Sequence, residues 1–167
     1  MTLDEALADA RATFPKMPAD AFTLWVDDRI RSNGWPPVGI EWAGFLDGKP
    51  LTYWQALEWQ RESITLRPEE LTPNAFSLVM QLVEAAQGRP NLMSQYIPNT
   101  AERFKSCLEY IQANGTTPNV ILLLRASEGI VIIEGNHRIA ALLAYQSQLP
   151  KGSSLLRVDA WVARPPP

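Results

Sequence analysis

Five consecutive residues carry most of the chemistry this chain can offer. In VIIEGNHRIAALLAY, residues 131–145, the run Glu134-Gly135-Asn136-His137-Arg138 interrupts two apolar segments and contains the only histidine. A helix beginning here would present backbone N–H groups without intrahelical partners and a partial positive charge. A glycine just before it lets a ligand approach the backbone closely. That arrangement suits an anion, most often phosphate. Arg138 adds a forked, permanently charged guanidinium. His137 adds a donor, or a general acid or base near neutral pH. Asn136 can cap the helix or turn its amide to a ligand. Glu134 can hold Mg²⁺ or take a proton from an attacking hydroxyl. The bland reading of the same residues is an ordinary Gly-Asn helix start with a solvated His137 and an Arg138 paired to a carboxylate. The combination of Gly, His and Arg at one strand-to-helix junction favours the ligand site.

The junction needs a strand before it and a helix after it, and the flanking residues predict both. PNVILLLR is a short apolar run rich in branched residues, as in a buried strand. Ser127-Glu128-Gly129 turns the chain into a second strand, IVIIE. IAALLAYQSQL follows with Ile139, Leu142 and Leu143 on one helical face, and Pro150 ends it. Upstream, Thr72, Pro73 and Gly88 bracket a helix with cap, first-turn proline and stop. Another helix is expected from Thr100 to Ala113, with Cys107 as a small core residue on its apolar face. ITLRPEEL opens as a short strand, RPNLMSQYIPN reads as a loop, and SLLRVDAWVA alternates as a closing strand. Before residue 63 the chain reads as mostly helical. Thr2 and Glu5 form a capping box, and a second helix is expected from Asp20 to Arg31. A loop or hairpin is expected around GIEWAGFL, turning at Asp47-Gly48, then a short helix capped by Thr52. The expected class is α+β: a helical extension over residues 1–62 packed on a mixed-sheet domain over 63–167.

Composition bounds the rest. The chain has 167 residues and a net charge of −3, which argues against a protein that coats nucleic acid or anionic membrane. The charge is uneven: residues 1–100 hold 8 Lys/Arg against 13 Asp/Glu, and residues 101–167 hold 7 against 5. The mildly basic half contains the histidine. Arg125, Arg157 and Arg164 lie in it too. A single Cys and a single His speak against a disulfide or a transition-metal site. The N-terminus lacks the apolar core of a signal peptide, and no apolar run is long enough to span a bilayer, so a cytoplasmic protein is expected. Four of the six tryptophans fall between Trp25 and Trp54. With few Lys or Arg among them, packing is a better reading than base stacking.

GIVIIEGNHRIAALLAY, preceded by a helix ending in NGTTPNVILLLR, resembles the core of the ParB/sulfiredoxin-like superfamily. The shared motif is Gly-x-x-Arg-x-x-Ala at a helix start, here Gly135, Arg138 and Ala141. ITLRPEEL resembles the family's opening strand and SLLRVDAWV its closing one, so the likeness covers about residues 63–163. It implies a bound nucleotide. Sulfiredoxins hold ATP on a Gly-Cys-His-Arg turn, free-serine kinases use a Gly-x-His-Arg turn, and partition proteins bind CTP through Gly-Glu-Arg-Arg. Carried over, Gly135, Asn136, His137 and Arg138 become nucleotide contacts, with Mg²⁺ held mainly by phosphate oxygens. Asn136 stands where sulfiredoxins have the catalytic cysteine, which speaks against sulfinic acid reduction. No helix-turn-helix module follows, which speaks against a partition role. The kinase-like branch matches the motif best. It implies an ATP-dependent phosphotransferase or nucleotide hydrolase with His137 and a glutamate as catalytic groups, the glutamate being Glu134, Glu69 or Glu70. The acceptor is a small molecule or protein. The alternatives are a non-catalytic DNA-associated or regulatory module of the same fold, and a ParB-like DNA nuclease.

Overall fold

The computed structural model describes residues 1–89 and 91–167, and the chain is α+β. It divides into two compact units, Met1–Gln60 with Ala163–Pro167, and Arg61–Val162.

The first unit is a set of short helices around aromatic side chains. Helix α1 (Leu3–Thr13) starts at the expected capping box, with Thr2 accepting from the Glu5 amide and Glu5 accepting in return. Helix α2 (Ala19–Phe22) runs through one π turn, Thr23–Asp27, into α3 (Asp28–Asn33), so the expected second helix is present but underwound in its middle. Helix α4 (Ile40–Phe45) replaces the expected hairpin, although the turn at Asp47-Gly48 is real and both residues have positive φ. The reason is packing. Trp42 is 1% exposed and sits edge-on to Trp35 and Phe45, a cluster one helical turn can deliver. Helix α5 (Leu51–Ala56) buries Trp54, whose indole N–H donates to Leu46 O at 3.0 Å. Trp42 donates to Gly34 O, and Trp35 to Asp9. These indoles are packed and hydrogen-bonded within the unit, as tryptophans used for structure are.

Strand β1 (Glu58–Ile64) begins six residues before the strand expected at Ile64. Its burial is poor and uneven, which hid it from periodicity. Thr72 caps α6 (Pro73–Ala86) as expected. Helix α7 (Leu92–Tyr96) forms a single turn inside the segment expected to be loop, with Asn91 and Ser94 capping each other; Pro90, within that segment, lies outside the described residues. Helix α8 (Thr100–Asn114), strands β2 (Ile121–Ala126) and β3 (Gly129–Glu134), helix α9 (Asn136–Ser147) and strand β4 (Val158–Arg164) follow. The sheet order is β1-β4-β2-β3, with β2 and β3 antiparallel.

Helices α6, α8 and α9 pack on one another. Their apolar faces meet Ile121, Leu123, Ile130, Val158, Ala160 and Val162 from the strands in one core. Leu122 and Leu124 are equally inaccessible, which is why β2 reads as an unbroken apolar run rather than an alternation. Each fully buried Leu or Ile contributes roughly 1.5–3 kcal/mol, so the end of β3 and the start of α9 rest on a rigid platform. The hairpin turn is clamped as well. Gly129 has φ +132°, and a Cβ there would lie 2.9 Å from Glu70 O, while the Thr72 amide donates to Ile130 O at 3.0 Å.

Candidate functional site

Strand β3 ends at Glu134, and the chain enters α9 through Gly135, at φ +108° and ψ 28°. Side-chain-bearing residues rarely adopt that conformation. Space is short too: a Cβ would sit 3.0 Å from Ile121 Cγ2 and 3.2 Å from an Arg138 guanidinium nitrogen. The first intrahelical bond runs from the Ile139 amide to Gly135 O at 2.9 Å. The amides of Asn136, His137 and Arg138 therefore precede any intrahelical acceptor. Gly135 has no side chain with which to cap them. Asn136, a capping candidate by sequence, is instead the first helical residue.

The side chains of this turn divide into anchored and unanchored. Arg138 is anchored. Its side chain is 13% exposed, Nη1 donates to Val120 O at 2.6 Å and Pro118 O at 3.3 Å, and Nη2 lies 3.5 Å from Glu134 Oε1. Burial draws its pKa below the usual value and Glu134 opposes that shift; an arginine stays charged throughout. The guanidinium thus ties the start of α9 to the segment leading into β2. His137 and Asn136 are the opposite. His137 is 8% exposed, and its Nε2 and the Oδ1 of Asn136 are both buried without a hydrogen-bond partner. Desolvation, helped by the charge of Arg103, lowers the His137 pKa to about 4. The ring is neutral at physiological pH.

An open pocket of about 410 Å³ lies over this turn. All five residues singled out by sequence, Glu134 to Arg138, line it. Helix α8 supplies the facing wall with Glu102, Arg103, Ser106 and Cys107. Arg103, Ser106 and Cys107 are spaced i, i+3, i+4 and so share a helical face. The sequence reading missed that wall. It placed Cys107 with the core, and this half-buried residue does pack against the core while also lining the pocket, with burial raising its thiol pKa against the pull of Arg138 and Arg103. Glu69 and Glu70 do not line the pocket; they sit in a 3₁₀ turn where Glu70 accepts from the Arg67 amide at 2.7 Å. Arg125 and Arg157 do not line it either, and Arg157 is bonded to Ser63.

The arrangement can hold a group rich in oxygen acceptors. Three amides without intrahelical partners lie at the start of α9, and beside them the neutral imidazole of His137 and the amide of Asn136 each hold a buried polar atom with no partner. A metal is less well provided for. Among the described residues no group of three or more His, Cys, Asp or Glu is placed to hold one, and Glu134 is partly engaged by Arg138. No helix of the described residues is long and apolar enough to cross a membrane. No family model, curated protein or solved structure matches the chain.

Proposed function

We propose that the chain is a ParB/sulfiredoxin-like nucleotide-binding protein that holds the phosphates of ATP or another nucleoside triphosphate at the start of α9. One observation carries the reading: a buried, unpartnered imidazole nitrogen beside three uncapped amides, under a pocket open to solvent. Leaving a buried polar atom unpaired costs about 1–3 kcal/mol, and a phosphate oxygen that reached it, once the ring turned toward the pocket, would relieve that cost. The reaction class in this reading is phosphoryl transfer or nucleotide hydrolysis, in which fixed donors stabilise charge on the transferred group. His137 with a pKa of about 4 is a feeble base in the free protein. An anionic phosphate beside the ring raises that value, so His137 becomes a competent proton acceptor only with ligand bound. Glu134 stands at the rim as the second candidate base. Mg²⁺ belongs to this reading as a companion of the phosphates.

A thermal-shift and calorimetric series with nucleoside triphosphates, with and without Mg²⁺, tests the proposal. Ligand at a hundred times its Kd stabilises by about 2.7 kcal/mol, and the effect should vanish in His137→Ala. No stabilisation by any triphosphate overturns it. The pairing of Glu134 with Arg138 supports a second reading, a regulatory module that binds the same ligand without turning it over. Binding without release of phosphate or of a nucleoside diphosphate selects that reading. Retention on DNA at low salt, falling steeply as salt rises, would point to the DNA-associated version.

A further inference from the structure

We infer that this pocket grips a polyphosphate tail and does not read a base, with Arg103 of α8 as the cation that closes on the tail. The inference rests on the nucleotide reading above and narrows it. Recognition of a base needs an apolar or aromatic face and a few placed donors and acceptors at its edge. The wall contributed by α8 is Glu102, Arg103, Ser106 and Cys107, and the remainder is the 134–138 turn, with no Phe, Tyr, Trp, Leu, Ile or Val among the lining residues. The exposed flat group there is the Arg103 guanidinium, and stacking on a guanidinium accepts every base alike. Beside the carboxylates of Glu102 and Glu134, the donors the pocket offers suit phosphate. The uncapped start of a 12-residue helix lines the pocket, and His137, 8% exposed and also in the lining, holds a buried Nε2 with no partner.

Arg103 and Arg138 divide the work of charge. Three of the five Arg138 N–H donors are taken by Val120 O, Pro118 O and Glu134. Arg103 is exposed and its side chain forms no salt bridge or hydrogen bond among the described residues, yet its charge is felt by His137, Cys107 and Arg138 alike. It is the exposed cation of the site and Arg138 the buried one.

Titration calorimetry on the full chain with ATP, GTP, CTP, inorganic tripolyphosphate and adenosine tests this. The three nucleotides and tripolyphosphate should bind within about threefold of one another, and adenosine should give no heat. Arg103→Gln should weaken all four by about tenfold or more, with the unfolding temperature of the ligand-free protein unchanged. ATP binding without tripolyphosphate binding, a preference for one base above about tenfold, or full affinity in Arg103→Gln overturns the inference and leaves the nucleotide reading standing. Silence of all triphosphates overturns both.

Discussion

Helices α6 and α9 pack against each other and begin in opposite ways. At the start of α6, Thr72 accepts from the Ala75 amide at 3.2 Å, Pro73 removes one donor altogether, and the Thr72 amide is itself bonded to Ile130 O. Of the first-turn amides only that of Asn74 is left without an acceptor among these bonds. At the start of α9 the cap is a glycine, no side chain reaches the first amides, and two buried polar atoms next to them have no partner. A side-chain cap is worth about 1 kcal/mol. Forgoing it and burying unpaired atoms as well is a deficit at one end of an otherwise well-packed helix. A bound anion would offset that deficit, which is the physical case for reading α9 as a site and α6 as scaffold.

The largest test of the contrast is Arg138→Ala. A ligand-facing arginine could be removed at little cost to the fold, as the sequence motif alone suggests for Arg138. The observed one ties two carbonyls and a carboxylate together. Its loss removes two hydrogen bonds from a charged donor and should cost roughly 3–5 kcal/mol, lowering Tm by about 10 °C in a chain of this size, as followed by circular dichroism. An unchanged Tm would return Arg138 to the ligand side and dissolve the distinction from Arg103.

His137 supplies the next largest effect, read through pH. Its folded pKa of about 4 lies below the unfolded 6.5. Between those values the unfolded chain carries the extra proton, so stability is full above pH 6.5 and declines as pH falls toward 4, by as much as roughly 3 kcal/mol. Denaturant titrations across that window should show the slope in the native protein and a reduced one in His137→Asn. Saturating phosphate ligand should move the midpoint of the decline upward in pH. An acid-insensitive native protein would mean that the imidazole is solvated, and the α9 start then differs from α6 only in its cap.

What could be read from the sequence follows the range of the forces involved. Caps are local, so the starts of α1 and α6 were legible from Thr2-Glu5 and Thr72-Pro73. Apolar runs are local too, which made β2, β3 and the β3–α9 junction visible, and with them Glu134 to Arg138. Helix α4 was not legible, because its reason for existing is the fit of Trp42 against Trp35 and Phe45. Strand β1 was not, because its residues are too exposed to show a period. Arg103 and Ser106 were hidden for the same kind of reason. A polar stripe on α8 looks like a solvated face until the packing of α8 on α9 turns it toward the turn. The anchoring of Arg138 depends on carbonyls 18 and 20 residues away, which no local pattern encodes.

Gly135→Ala probes the turn itself and should act on both stability and binding. At φ +108° an alanine is strained, and its Cβ meets Ile121 and Arg138, for a cost on the order of 1–3 kcal/mol. The displaced amides should also lose most of the ligand-induced thermal shift. A variant as stable as the parent would show that the turn can relax, and that the glycine is not held there by geometry.

The smallest effect is the control on the other helix. Thr72→Ala removes the bond to the Ala75 amide and should destabilise by about 1 kcal/mol, a Tm change of about 2–4 °C. Because α6 contributes no residue to the pocket lining, the thermal shift produced by tripolyphosphate should be the same size in this variant as in the parent. The two helix starts then answer to different variables, one to the chain's own caps and the other to an anion. If Thr72→Ala weakens tripolyphosphate binding as much as Arg103→Gln does, the pocket depends on the whole helical layer, and an uncapped start no longer marks a site.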